Sequence, residues 1–302
     1  MKHILMIATG GTIACRQQGR GLAPSLTGEE LLEFLPEIRN ICRVVVENPL
    51  SIDSTDMTAE DRMKIATTVW QNYDRYDGFV VAHGTDTLSY TAAFLYHVLK
   101  NLNKPVILTG SQLPMGVEDS DAERNLLDAF RVASVGYVGV AAVLHGKVIR
   151  GNHVVKVHTT DMDAFQSIGA PLAGTVDDEG NVRLNIVPLL GGEPRFVDQV
   201  DPKIVLMKLV PDLDPSIFDF LSRYPKVIIE GFGSGGIPTR LEKVVQKLIM
   251  SGTKVYLTSQ CIEGETNLHK YEVGRRAEAM GAISLGHRTT EDALAAIMCG
   301  EL

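Results

Sequence analysis

Three times before residue 113 of this chain, an apolar and largely β-branched run stops at a polar turn that contains glycine. The runs are Ile4 to Ala8 before Thr9-Gly10-Gly11-Thr12, Phe79 to Ala82 before His83-Gly84-Thr85-Asp86-Thr87, and Val106 to Leu108 before Thr109-Gly110-Ser111-Gln112. Each is too short for a comfortable helix and reads as a buried strand that ends in a tight turn. A fourth run of this kind, Val138 to Leu144, comes next. Helical patterns lie between them, so the repeat predicts a parallel sheet with helices on both faces. Right-handed crossovers then carry all of the turns to one sheet edge, where the loops of an open α/β sheet form a ligand crevice.

The rest of the chain fits the same scheme. Thr27-Gly28-Glu29-Glu30 reads as a helix entry with acidic residues at the positive end of the dipole, and Pro36 interrupts that helix. Val44 to Val46 is the next strand, Asp53 to Met57 a polar turn, and Thr58 to Tyr73 a helix. Helices are also expected from Tyr90 onward and from about Asp121 to Val135. The Cys15 to Thr27 segment, rich in Gly, Gln, Arg and Ser, is expected to be a mobile, exposed loop of the kind that becomes a lid.

Pro188, Gly191, Gly192 and Pro194 mark a linker. The expected division is a larger N-terminal domain over residues 1–187, a linker over 188–202, and a smaller α/β domain over 203–302. The last of these should contain strands at Ile204 to Leu209, Val227 to Ile229 and Val255 to Ser259, and helices at Ser216 to Arg223, Leu241 to Ser251 and Thr290 to Met298.

Composition narrows the function classes. The formal net charge of -8 and the lack of a basic stripe argue against nucleic acid as the main partner. No stretch reaches the ~18 to 20 apolar residues that a membrane-spanning helix needs, and the N-terminal run leads into the Gly-Gly-Thr turn without a cleavage site. A cytoplasmic protein is expected. Cys15, Cys42, Cys261 and Cys299 are scattered, no Cys-x-x-Cys or His-Glu-x-x-His spacing occurs, and neither a metal nor a cofactor is expected.

Thr12, Ser54, Thr55, Thr85, Asp86 and Ser111 all fall in turns at what should be the same sheet edge. An amide or ester hydrolase needs a nucleophilic oxygen, a group to take its proton, and donors for the developing oxyanion. Taken singly, each motif has a plainer explanation. Thr85-Asp86-Thr87 reads as a helix N-cap, Lys156 as a solvated lysine, and His83 as a packed, hydrogen-bonded histidine. In the convergent reading Lys156 is either a buried amine of lowered pKa or the ion-pair partner that keeps Asp86 charged.

Thr9-Gly10-Gly11-Thr12-Ile13-Ala14 together with His83-Gly84-Thr85-Asp86-Thr87 closely resembles the two signature motifs of bacterial-type L-asparaginases. Asp53 to Met57, Lys104 to Gln112 and Arg150-Gly151-Asn152 through Lys156 resemble the cytoplasmic, type I branch. The resemblance implies hydrolysis of L-asparagine without cofactor or metal. Thr12 attacks the side-chain amide, ammonia leaves, and water hydrolyses a β-aspartyl ester. It also implies that Thr85, Asp86 and Lys156 activate the nucleophile or the water, and that Ser54, Thr55, Asp86 and Ser111 line the substrate site. The resemblance further implies a site shared between subunits of an intimate dimer, with a dimer of dimers as the larger assembly.

One position departs from the family pattern. Leu22 stands in the loop where the family usually has a tyrosine, and Tyr271 is the candidate substitute, from the same or a neighbouring subunit. Glu265 is the nearest candidate for an acidic residue that reaches the partner's site. Two other functions stay open: a non-catalytic amino-acid-binding or sensing protein, and the amidase subunit of a tRNA-dependent amidotransferase. The second is disfavoured because Thr12 lies almost at the start of the chain.

Overall fold

The computed structural model describes residues 1–18, 21–185 and 191–302. These residues fall into two compact units, Met1–Asp198 and Gln199–Leu302. The first unit opens with β1 (Lys2–Ala8), β2 (Cys15–Gln18), β3 (Gly21–Pro24), α1 (Gly28–Glu33), α2 (Ile38–Ile41), β4 (Cys42–Glu47) and α3 (Ala59–Gln71). Next come β5 (Gly78–Ala82), α4 (Leu88–Val98), β6 (Leu99–Lys100), β7 (Pro105–Thr109), α5 (Ala122–Ser134) and β8 (Gly139–Leu144). It closes with β9 (Lys147–Arg150), β10 (Val154–Lys156), β11 (Phe165–Ser167), β12 (Gly174–Val176), β13 (Val182–Leu184) and β14 (Arg195–Phe196).

Eight strands form one sheet in the order β13-β12-β9-β8-β7-β5-β1-β4. The β4-β1-β5-β7-β8 stretch is parallel, and β9, β12 and β13 extend it antiparallel. The inner parallel strands are buried on both faces, which is why Ile4, Leu5, Met6 and Ile7 form an unbroken apolar run with no exposure. On one face Ile4, Met6, Val80 and Ile107 share a core with Leu31, Leu126 and Phe130. On the other, Phe79 meets the rings of Tyr73 and Tyr76, just past α3. Capping boxes start α1, through Thr27 and Glu30, and α3, through Thr58 and Asp61.

The topology positions the site. The chain leaves β1 to one side for β4 and returns on the other side as β5, so the five parallel strands run in the order 2-1-3-4-5 when numbered along the chain. The direction of winding reverses at β1, and the crevice at the C-terminal ends of β1 and β5 is the switch point at which doubly wound sheets bind ligands. The Gly-Gly-Thr and Gly-Thr-Asp turns flank it.

Several local features differ from the sequence expectation. The Cys15 to Thr27 segment contains the antiparallel pair β2 and β3 rather than loop alone, with Cys15 opposite Pro24 and Gln18 opposite Gly21. A two-stranded ribbon needs no continuous apolar face, so its polar composition concealed it; Gly19 and Arg20 lie outside the described residues. Strand β9 was missed as well. It is joined to β8 through the two-residue turn His145-Gly146, both at positive φ, as a tight hairpin requires. Residues 188–190 of the expected linker lie outside the described residues, and Arg195–Phe196 within it pairs with β6.

The second unit has a parallel sheet in the order β15 (Ile204–Lys208), β16 (Lys226–Gly231), β17 (Lys254–Ser259) and β18 (Ile283–Ser284). Its helices are α6 (Ile217–Leu221), α7 (Glu242–Met250), α8 (Glu272–Ala279) and α9 (Thr290–Met298). Val227, Ile229 and Leu257 pack with Phe218, Val245 and Leu248 on one face, and Ile228 and Tyr256 with Ala293 and Ile297 on the other. Helix α8 escaped the sequence reading because its buried residues are only Gly274 and Ala277. Among the described residues no helix is long and apolar enough to cross a membrane.

Candidate active site

Backbone contacts between glycines draw the three turns together. Gly11 has φ 74° and ψ -179°, and a Cβ placed there would sit 2.3 Å from both Cα and N of Gly84. A Cβ on Gly84 would meet Ser54 Cβ and Oγ at 2.6 Å, and one on Gly110 would meet the His83 carbonyl at 2.3 Å. The loops after β1, β5 and β7, and the Ser54 turn, therefore touch at distances that only glycine permits. Hydrogen bonds fix the same approach: Thr9 Oγ1 donates to Ala82 O at 3.0 Å, Gly11 N to Ile52 O at 2.9 Å, and Thr87 Oγ1 to Ser54 O at 2.7 Å.

On this frame the side chains of Thr85, Asp86 and Lys156 form one cluster. Lys156 comes from β10, which packs beside α4, and its Nζ donates to Thr85 Oγ1 at 2.9 Å and to Asp86 Oδ1 at 2.6 Å. The Lys156 side chain is only 15% exposed and that of Asp86 is 57% exposed, so the ammonium is held inside with its counter-ion at the mouth. This is the ion-pair alternative for Lys156. Neither the 3-10 turn at Thr85 nor α4 has a side-chain cap, so Thr85 and Asp86 are used for this cluster rather than for capping. Thr12 begins a short 3-10 turn after the two glycines and is half-buried.

The other sequence candidates occupy distinct settings. Ser54 is buried in its own 3-10 turn against Gly84. Thr55 is exposed, with its backbone N–H and hydroxyl both donating to Asp53 Oδ1 at 2.9 and 2.8 Å. Ser111 is fully buried and its hydroxyl donates to the Leu113 carbonyl, so at this position the chain offers backbone rather than a free side chain. In the second unit Tyr271 is 55% exposed at the start of α8 under Lys270, and Glu265 pairs with His287 Nε2 at 2.8 Å. Leu22 lies in β3 with its Cα opposite Gln17.

The sequence reading missed Gln112 as a member of the cluster. Its Oε1 accepts from Thr85 Oγ1 at 3.2 Å, and its Nε2 donates to the carbonyls of Thr159 and Asp161. The available signal was its place in the third strand-end turn. Among the described residues no group of three or more His, Cys, Asp or Glu is arranged to hold a metal ion.

His83 is the packed histidine expected from sequence. It is fully buried, with Nδ1 at 2.7 Å from Gly84 O and Nε2 at 3.0 Å from Thr91 Oγ1. A carbonyl only accepts, so Nδ1 carries the proton and Nε2 accepts from Thr91. Burial drives its pKa down to about 4 from 6.5. The unfolded chain therefore takes up a proton as pH falls below about 6.5, while the folded chain does not until about 4. Stability contributed by neutral His83 is present at pH 7 and is lost between these limits, up to about 3 kcal/mol. Urea unfolding at pH 7.5 and 4.5 should show a steeper acid loss for the wild type than for His83→Gln.

The sequence matches the family described as Asparaginase, N-terminal, over residues 3–188, and the Glutaminase/Asparaginase C-terminal domain over residues 203–300. The chain belongs to the asparaginase family. An L-asparaginase from Thermococcus kodakarensis is 37% identical over 301 residues, which cover 98% of this chain and 91% of that relative. A glutamyl-tRNA(Gln) amidotransferase subunit from Pyrococcus abyssi is 34% identical over 313 residues, covering 99% of this chain and 72% of that relative. Among solved structures, the thermostable L-asparaginase from Thermococcus kodakarensis superposes with a TM-score of 0.94 at 36% identity, covering 99% of this chain and 92% of that one. L-asparaginase I from Vibrio cholerae superposes with a TM-score of 0.88 at 30% identity, with the same coverage. The asparaginase fold thus accounts for both units of this chain.

Proposed function

We propose that this protein hydrolyses L-asparagine to L-aspartate and ammonia, with Thr12 as nucleophile and a covalent ester intermediate. The observation that carries the reading is the Lys156–Thr85–Asp86 cluster at the switch point of the sheet, beside the Gly-Gly-Thr turn. Thr12 Oγ1 attacks the side-chain carbonyl carbon, the C–N bond breaks, and the nitrogen leaves as ammonia after gaining a proton. Water then adds to the ester carbon and the bond from that carbon to Thr12 Oγ1 breaks. Asp86, with one oxygen on Lys156 and most of its side chain exposed, holds the substrate's α-ammonium through the other oxygen. Ser54 and Thr55 serve the α-carboxylate side. The enzyme works as a homo-oligomer in the cytoplasm, and light scattering on the purified protein tests the first part.

The 34% identity to an amidotransferase subunit supports a second reading, in which the chain hydrolyses an amide for a partner that works on tRNA. Ammonia release from L-asparagine and L-glutamine, measured on the isolated protein, separates the two. Rapid release from asparagine supports the asparaginase. Release from glutamine alone favours the second reading, and binding of asparagine without any release would leave an amino-acid-binding protein.

A further inference from the structure

We propose that Gln112 is a positioning residue that sets the direction of the Thr85 hydroxyl. This deepens the hydrolase reading above and rests on it.

The hydrogen-bond directions come from the donors and acceptors present. Nε2 of Gln112 faces two carbonyls, Thr159 O at 3.3 Å and Asp161 O at 2.9 Å, which accept only. The amide nitrogen must lie on that side, so the atom 3.2 Å from Thr85 Oγ1 is the carbonyl oxygen Oε1, also an acceptor. Thr85 has a single hydroxyl proton and therefore gives it to Gln112. Lys156 Nζ donates to one lone pair of the same oxygen at 2.9 Å. One lone pair of Thr85 is left uncommitted.

This arrangement assigns Thr85 a role. Its proton points at an amide oxygen that is no base, and the neighbouring Lys156 Nζ donates to the same hydroxyl rather than accepting from it, so Thr85 has no partner through which to become the attacking oxygen. It acts as a hydrogen-bond acceptor that orients the proton of the attacking group.

The support beneath Gln112 is rigid. The Asp121 carboxylate accepts from Gln112 N at 3.0 and 3.1 Å and from Leu113 N at 3.1 Å. Asn125 Nδ2 ties Asp121 at 2.9 Å to the Gly110 carbonyl at 3.0 Å. The turn after β7 is thus clamped by Asp121 at the N-terminus of α5 and Asn125 in its first turn, and the side chain it carries spans from the 159–161 segment to Thr85.

The test compares wild type, Gln112→Met and Gln112→Glu by kcat and KM for ammonia release from L-asparagine between pH 5 and 9, with melting temperature and L-aspartate affinity as controls. Gln112→Met removes the acceptor at similar volume. It should melt close to wild type, bind L-aspartate within about threefold of wild type, and lose about tenfold in kcat with little change in KM. Gln112→Glu keeps an oxygen for Thr85 and should recover most of that loss. Recovery should be greatest at low pH, where a protonated carboxyl can also donate to Asp161 O. A folded Gln112→Met with wild-type kcat overturns the proposal, and so does a folded Gln112→Glu as slow as Gln112→Met at every pH, since either leaves Gln112 as a loop anchor only. Those outcomes leave the hydrolase reading standing. A wild type that releases no ammonia brings down both.

Discussion

Thr12→Ala is expected to lower ammonia release from L-asparagine by about 10³-fold or more while the protein keeps its fold and its affinity for L-aspartate. The reason lies in the different engagement of the two threonines. Thr85 shares its oxygen with Lys156 and its proton with Gln112, whereas Thr12 sits half-buried in a short turn and, among the described residues, makes no side-chain hydrogen bond. In the proposed mechanism the uncommitted Thr12 hydroxyl is the attacking group, so its loss should remove the acyl step. Thr12→Ser keeps the oxygen and should retain most of the rate. Acid quenching during turnover followed by mass analysis should find the wild type carrying a β-aspartyl group on Thr12 and Thr12→Ala carrying none. An adduct on Thr85 instead, or undiminished release by Thr12→Ala, would reverse the assignment.

The centre of the sheet was legible in the sequence because its inner strands are buried on both faces. Ile4 to Ile7, Phe79 to Ala82 and Val106 to Leu108 must be apolar throughout, and a continuous apolar run bounded by glycine is a strong local signal. Helices with capping boxes, such as α1 and α3, were legible for the same local reason. The elements that escaped are those whose stabilisation is not written as an apolar pattern. The β2–β3 ribbon is polar, and α8 buries only Gly274 and Ala277. Among the candidate site residues, Thr12, Thr85 and Asp86 could be grouped because they lie in the turns just past β1 and β5. The position of Lys156 beside Thr85 and Asp86 depends on how β10 packs against α4, which no local pattern encodes. Gln112 was visible only as part of a turn, since its role comes from carbonyls of Thr159 and Asp161, far along the chain.

The contact between Gly11 and Gly84 makes the second large effect. Gly11→Ala should cost about 3 kcal/mol or more of folding stability and lower ammonia release about 10²-fold or more in whatever fraction remains folded. Two penalties combine there. The backbone at φ 74° and ψ -179° is a conformation reserved for glycine, and the added methyl would lie 2.3 Å from two backbone atoms of Gly84. Because the obstacle is backbone, no rotamer change relieves it, and the turns after β1 and β5 must move apart. Thr12 and Thr85 ride on those turns, so the separation that relieves the clash also moves Thr12 away from the Thr85–Asp86–Lys156 cluster. Gly191→Ala is the control: its Cβ would meet nothing within 4 Å, and it should leave melting temperature and rate close to wild type. Equal stability and rate for Gly11→Ala and Gly191→Ala would mean that the two turns are not held by this contact, and that the site gets its geometry from the Lys156 ion pair alone.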